Sequence, residues 1–294
     1  MNPEVASLSP AKIGKFKASR LIVKESWAIL KQDKEVMWFP ILSFVTSLIA
    51  LIIFGAIFYF IVLAANIQAG DKLEGIASDV VSYVILFVYY LLMYLITNYF
   101  LAGVYTIVHA RLNGQNLSFR DGINGSNKNA GKIFVWALIS ATVGVILQII
   151  ADKSKVIGKI VASLIGAAWN IMTYFSFPSL IIGQRSVKDS FKESAALIRK
   201  TWGETIIVNF GVGLFFGLLI FLGIALSIGI IILIPLTVTV ISVIVLFIIY
   251  TIVLSIISST LSTIFKIALY DFAQTGKVAP GFSPDILKGA VQAK

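Results

Sequence analysis

Asn98 and Asn170 raise the first chemical question in this sequence of 294 residues, because each carries an amide donor and acceptor inside a long apolar run. Such residues can line a polar path through a bilayer or hydrogen-bond from helix to helix, and the second use is the commoner. A second polar feature stands near the C-terminus, where Thr251, Ser255, Ser259, Ser262 and Lys266 recur at helical spacing. That face would carry hydroxyls and end in a cation, as a site for an anionic headgroup or small anion would. Hydroxyls bonding back to their own helix and a lysine reaching for the interface explain it better. The single histidine, His109, stands beside Arg111 with no second histidine or carboxylate cluster near it, so an interfacial position is expected and a metal site is not.

The patterns that carry catalysis are missing: no His-Glu zinc pair, nucleophile elbow, phosphate-binding glycine loop or paired acid and base. Asp189 and Glu193 share a helix face but sit among lysines, as a solvated face would. The runs hold no clear buried carboxylate, which disfavours ion coupling. With no cysteine, disulfides and thiolate sites are excluded. No catalytic residue, cofactor or metal ligand is assigned, and the chain reads as a non-enzyme.

The elements that hold these residues follow from composition. A chain 58% hydrophobic and only 13% charged carries more apolar surface than a soluble core buries. Runs of about 18 or more apolar residues read as membrane-spanning helices. Six are expected, at about 39–65, 80–108, 133–151, 156–182, 205–227 and 237–270, in a single all-α integral membrane domain over residues 1–294. The polar, basic start is unlike a cleaved signal, so the first run should be an uncleaved anchor. Pro178 should kink or end span four, and Gly229 and Pro235 mark the turn between the last two spans, whose stretch also has room for a re-entrant piece. Gly158, Ala162, Gly166 and Asn170 in span four, and Gly213 and Gly217 in span five, have the small-residue spacing of close helix packing.

Lys and Arg set the orientation. Twenty fall in the N-terminal segment, the loops after spans two and four, and the C-terminal region; only Lys72, Lys153, Lys155 and Lys159 fall on the other side. Both termini should therefore be cytoplasmic in a multi-pass protein of the cell membrane. The net charge of +10 is spread over short juxtamembrane loops. Anionic lipid headgroups at the cytoplasmic face are the expected partner and nucleic acid is not; a homo-oligomer or another membrane partner stays open.

The loops also repeat. Val23-Lys24-Glu25-Ser26, Phe119-Arg120-Asp121-Gly122 and Phe191-Lys192-Glu193-Ser194 share an apolar, basic, acidic, small order, and a hydrophobic hairpin follows each. Asn98 and Asn170 stand 21 positions ahead of Phe119 and Phe191. Phe191, Ala195, Ile198 and Trp202 share one helix face, so each unit should open with an amphipathic lead helix in the headgroup plane, with Trp27, Phe119, Phe191 and Trp202 as interfacial anchors. The units run over about 23–108, 119–182 and 191–270, with a short segment 1–22 before them and a tail 271–294 after.

Phe175-Ser176-Phe177-Pro178 followed by FKESAALIRKTWGE at 191–204, together with SWAILKQDKEVMWFP at 26–40, resembles a prokaryotic family of six-pass membrane proteins of unknown function. More distantly it is similar to the membrane domain attached to some glycerophosphodiester phosphodiesterases. The resemblance covers about 26–270 and implies a fold and a membrane location; it brings no activity, and no phosphodiesterase catalytic domain accompanies it. The expected role is structural, lipid-interacting or scaffolding, with a permease for a small solute or lipid as the alternative.

Overall fold

The computed structural model describes residues 15–69, 76–153, 156–201 and 205–291, and every regular element among them is helical. Trp202 and Gly203 of the expected third repeat, and Lys12, Lys72, Lys155 and Lys294 of the charge pattern, lie outside the described residues. In chain order the helices are α1 (Lys15–Gln32), α2 (Trp38–Ala69), α3 (Ile76–Leu112), α4 (Phe119–Lys128), α5 (Ala130–Asp152), α6 (Ile157–Met172), α7 (Ser176–Ile181), α8 (Val187–Thr201), α9 (Thr205–Leu233), α10 (Thr237–Thr275) and α11 (Pro284–Val291).

Six helical segments are long and apolar enough to cross a membrane, and the fourth crosses as α6 and α7 together. The last two runs are both long helices; at 1.5 Å per residue, α10 is roughly 58 Å long and exceeds a hydrocarbon core of about 30 Å. The turn between them falls at residues 234–236, at Pro235 as expected, while Gly229 lies inside α9. Span four breaks earlier than Pro178. Proline has no N–H for the carbonyl of Tyr174, so the helix is interrupted at residues 173–175 and Pro178 sits in the first turn of α7, where a missing donor is tolerated.

The chain forms two compact units, both discontinuous in sequence: Met1–Met37 with Ile107–Leu117 and Ala196–Lys294, and Trp38–Thr106 with Ser118–Ala195. In the second unit the core gathers at one end of the hairpins, where Phe39, Ala102, Tyr105, Ile133, Trp136, Phe175 and Leu180 are buried. Further along, Ile52, Tyr59, Phe60 and Leu164 are exposed, as an apolar surface facing lipid would be. Gly103 permits this packing, because a Cβ there would collide with the Phe39 ring. Gly158 and Gly166 of α6 likewise face α5: a Cβ at 158 would collide with the Ile150 carbonyl oxygen, and one at 166 would meet Leu147 at 3.4 Å.

The first unit is built the same way. Ile22, Ile29 and Leu30 of α1, Ile107 and Val108 of α3, Leu261, Ile264, Ile267 and Leu269 of α10, and Ile286 and Leu287 of α11 supply its buried residues, whereas Phe221, Leu226 and Leu233 of α9 are exposed. Gly213 and Gly217 belong to that exposed surface, and a Cβ at either would meet nothing within 4 Å. Among the described residues of this chain they are not close-packing positions.

Candidate functional site

The three expected lead helices fall on α1, α4 and α8, and the small residue the sequence aligns among them, Ser26, Gly122 or Ser194, is buried in each. A small side chain there lets the helix approach its neighbours closely. Ser194 also bonds where it packs. Its Oγ donates to the Met172 carbonyl at 2.6 Å and accepts from the Phe175 N–H at 3.0 Å, so it bridges the break in span four. In α4, Ser126 Oγ donates to the Tyr99 carbonyl of α3 at 2.7 Å.

The aromatic residues of the lead helices meet protein rings. Phe119 lies 4.6 Å from Phe39, and Phe191 stacks on Trp136 at 5.0 Å with Trp169 at 5.6 Å, ring centre to ring centre. Trp27 is half-buried. The intramembrane polar residues are placed less alike than their matched spacing suggested. Asn98 is buried and its amide donates to the Tyr94 carbonyl of its own helix at 2.7 Å, whereas Asn170 is exposed on α6. On α10, Ser255 and Ser259 are exposed and Ser262 and Lys266 half-buried; Thr251 and Thr263 bond back to the carbonyls of Phe247 and Ser259.

Four acids, Glu25, Asp33, Asp271 and Glu193, are held by partners within their unit, while most of the lysines and arginines near the lead helices are exposed. In the first unit Asp33 is 6% exposed and accepts from Arg111 Nη2 at 3.1 Å, and Arg111 also donates to Asn116. Burial raises the Asp33 carboxyl above the usual range, against the hydrogen bond and charge of Arg111, which lower it, and with a smaller upward push from Glu35. His109 Nδ1 lies 3.0 Å from Asp271 Oδ2, and Glu25 Oε2 accepts the Ser283 N–H at 3.2 Å, tying α1 to the start of α11. Lys17, Arg20, Lys24, Lys31, Lys34, Arg199 and Lys277 of this unit are exposed.

In the second unit Glu193 is only 18% exposed, not solvated as its lysine neighbours implied; it accepts from Ser179 Oγ at 2.5 Å and Arg185 Nε at 3.3 Å. Lys132 Nζ donates to Gln184 Oε1 at 3.0 Å, and Gln184, at a left-handed φ of 50°, donates to the Ile181 carbonyl, so the end of α7 is closed by side chains. Asp189 is exposed and accepts from Ser186. Asp121 caps α4 with Ser118, whose hydroxyl and backbone bonds hold its carboxyl below the usual range, helped by Arg120. Arg120, Lys128, Lys188 and Lys192 are exposed. Among the described residues no three His, Asp or Glu side chains group closely enough to hold a metal ion.

Six apolar helices with a polar layer at the ends of their hairpins define a multi-pass membrane protein. The chain belongs to the family of unknown function DUF6159, whose model matches residues 80–281. No curated protein matches it.

Proposed function

We propose that the protein is a non-catalytic, structural component of the cell membrane that holds anionic lipid headgroups on the outer face of its lead helices. The observation that carries this reading is the set of uncommitted bases beside engaged acids: Glu25, Asp33, Asp271 and Glu193 are held by partners within their unit, and Lys24, Lys31, Lys34, Lys188 and Lys192 on and beside the lead helices are exposed. Attraction to an anionic leaflet is worth about 1 kcal/mol per nearby Lys or Arg, so a handful acting together suffices for lipid enrichment. The reading places all three lead helices and both termini on the cytoplasmic side, with each lead helix and its following hairpin as one copy of a threefold repeat. The likeness of residues 26–40 and 191–204 to prokaryotic six-pass proteins, and more distantly to phosphodiesterase-linked membrane domains, supports it.

The break in span four favours a permease, since discontinuous helices often line transport sites. Against this, Ser194 already engages the Met172 carbonyl and Phe175 N–H at the break, the Asn98 amide is spent on its own helix and Asn170 faces outward. Lipid mass spectrometry on the protein in nanodiscs formed directly from native membranes tests the proposal. Anionic lipids should be enriched over the bulk membrane, and the enrichment should fall when Lys24, Lys31 and Lys34 are changed to Gln. Bulk composition around the unaltered protein would overturn it.

A further inference from the structure

The outer faces of the three lead helices are not equally charged. On α1, Lys17, Arg20, Lys24 and Lys31 are exposed, and at about 100° per residue their spacing places them within a stripe of about 60°. None of the four is paired or hydrogen-bonded among the described residues. The acids of this helix and of the turn after it are committed elsewhere: Glu25 Oε2 accepts the Ser283 N–H, and Asp33 is paired with Arg111. The other lead helices interleave their bases with acids. On α4 the exposed Asp121 follows Arg120, and the next base is Lys128, two turns on; on α8 the exposed Asp189 stands between Lys188 and Lys192, and the next base, Arg199, is again two turns on.

We infer that the row Lys17, Arg20 and Lys24 selects lipids that carry two phosphates on one headgroup. The inference rests on the reading that lead helices meet headgroups with their outer faces, and it names the lipid class. Bases three and four residues apart are neighbours on a helix surface, so these three repel one another along about 10 Å of helix until anions stand between them. A phosphodiester with one charge neutralises a third of that row. A headgroup with two phosphates brings both charges in one molecule: once the first is held, the second is at high effective concentration beside the next base, and no second lipid has to be gathered. Arg20, in the middle, has the planar fork that takes two phosphate oxygens at once. On α4 and α8, where an acid offsets the bases, a second phosphate gains little. Lys31 lies just before the first membrane-crossing segment, Lys34–Ile61, so the stripe ends at the bilayer surface and its anion belongs to the leaflet.

The full chain, reconstituted in phosphatidylcholine vesicles that hold cardiolipin and phosphatidylglycerol at equal total charge and then cut out in copolymer discs, tests this by lipid mass spectrometry. Cardiolipin should be enriched about fivefold over phosphatidylglycerol around the unaltered protein. Arg20→Gln with Lys24→Gln should bring the two lipids level, and Lys188→Gln with Lys192→Gln should leave the preference in place. Equal enrichment of both lipids, a preference that survives the α1 pair of substitutions, or one lost equally with the α8 pair would overturn the inference and leave the headgroup reading standing. Enrichment of neither lipid over phosphatidylcholine would overturn both. Inorganic diphosphate that abolished the cardiolipin preference at matched ionic strength would assign the stripe to a soluble anion and overturn the inference as well.

Discussion

Ser194→Ala removes one oxygen from a fully buried site, and its cost can be worked from two bonds. The Oγ accepts from the Phe175 N–H at 3.0 Å and donates to the Met172 carbonyl at 2.6 Å, both at the interruption of span four. A buried bond contributes about 1 kcal/mol net, and a buried amide that loses its partner costs about 1–3 kcal/mol, so the variant should lose about 2–4 kcal/mol. Ser190→Ala is the internal control. It removes the same atom from an equally buried position, but Ser190 donates only to the Val187 carbonyl of its own helix, so the loss should be about 1 kcal/mol or less. Reversible unfolding in bicelles, followed by tryptophan fluorescence, compares the two. A Ser194→Ala variant within about 0.5 kcal/mol of the unaltered protein, or no weaker than Ser190→Ala, would refute the role given to this hydroxyl, since errors between such close variants are a few tenths of a kcal/mol.

Other outcomes follow from the same geometry. Gly103→Ala should lose about 2 kcal/mol or more because its Cβ collides with the Phe39 ring, whereas Gly213→Ala, open on all sides, should be neutral or gain up to about 1 kcal/mol; thermal unfolding in detergent checks both. Because the Asp33 carboxyl is raised in the folded protein, its contribution is full below the ordinary value of about 3.9 and is lost as pH rises through the raised one. Asp33→Asn should therefore gain on the unaltered protein as pH climbs from about 3 to 6, and a falling difference in unfolding midpoints would contradict this. Asp121 has the opposite sign: its contribution is full above the ordinary value and lost as pH falls through its lowered one, so Asp121→Asn should flatten the acid side of the stability curve below about pH 4.

The spans were legible because some twenty consecutive apolar residues have few other uses, and Pro235 marked its turn openly. The break in span four was displaced from its cause, since the N–H missing at Pro178 disturbs the turn before it. The lead helices were legible as helices but not in what they touch: offsets of four, seven and eleven from Phe191 suggest a lipid-facing stripe, and only the structure shows Phe191 stacked on Trp136. The buried position was marked in the sequence by a small residue, Ser26, Gly122 or Ser194, whose size serves close packing. The His109–Asp271 pair joins residues 162 positions apart, which no local pattern encodes. Helix α11 did carry a local signal, Ser283-Pro284-Asp285, a capping serine with proline and an acid in the first turn, within what had read as a plain tail.

The central claim, that all three lead helices lie on the cytoplasmic side, is tested most directly by labelling single cysteines placed in the cysteine-free chain. Lys24→Cys, Arg120→Cys and Lys192→Cys occupy exposed positions on α1, α4 and α8, and Lys153→Cys an exposed position after α5. In intact cells a membrane-impermeant maleimide should label the cysteine at 153 and spare the other three, which should react once the membrane is permeabilised. Labelling of any of those three in intact cells, at a rate matching that at 153, would contradict the account.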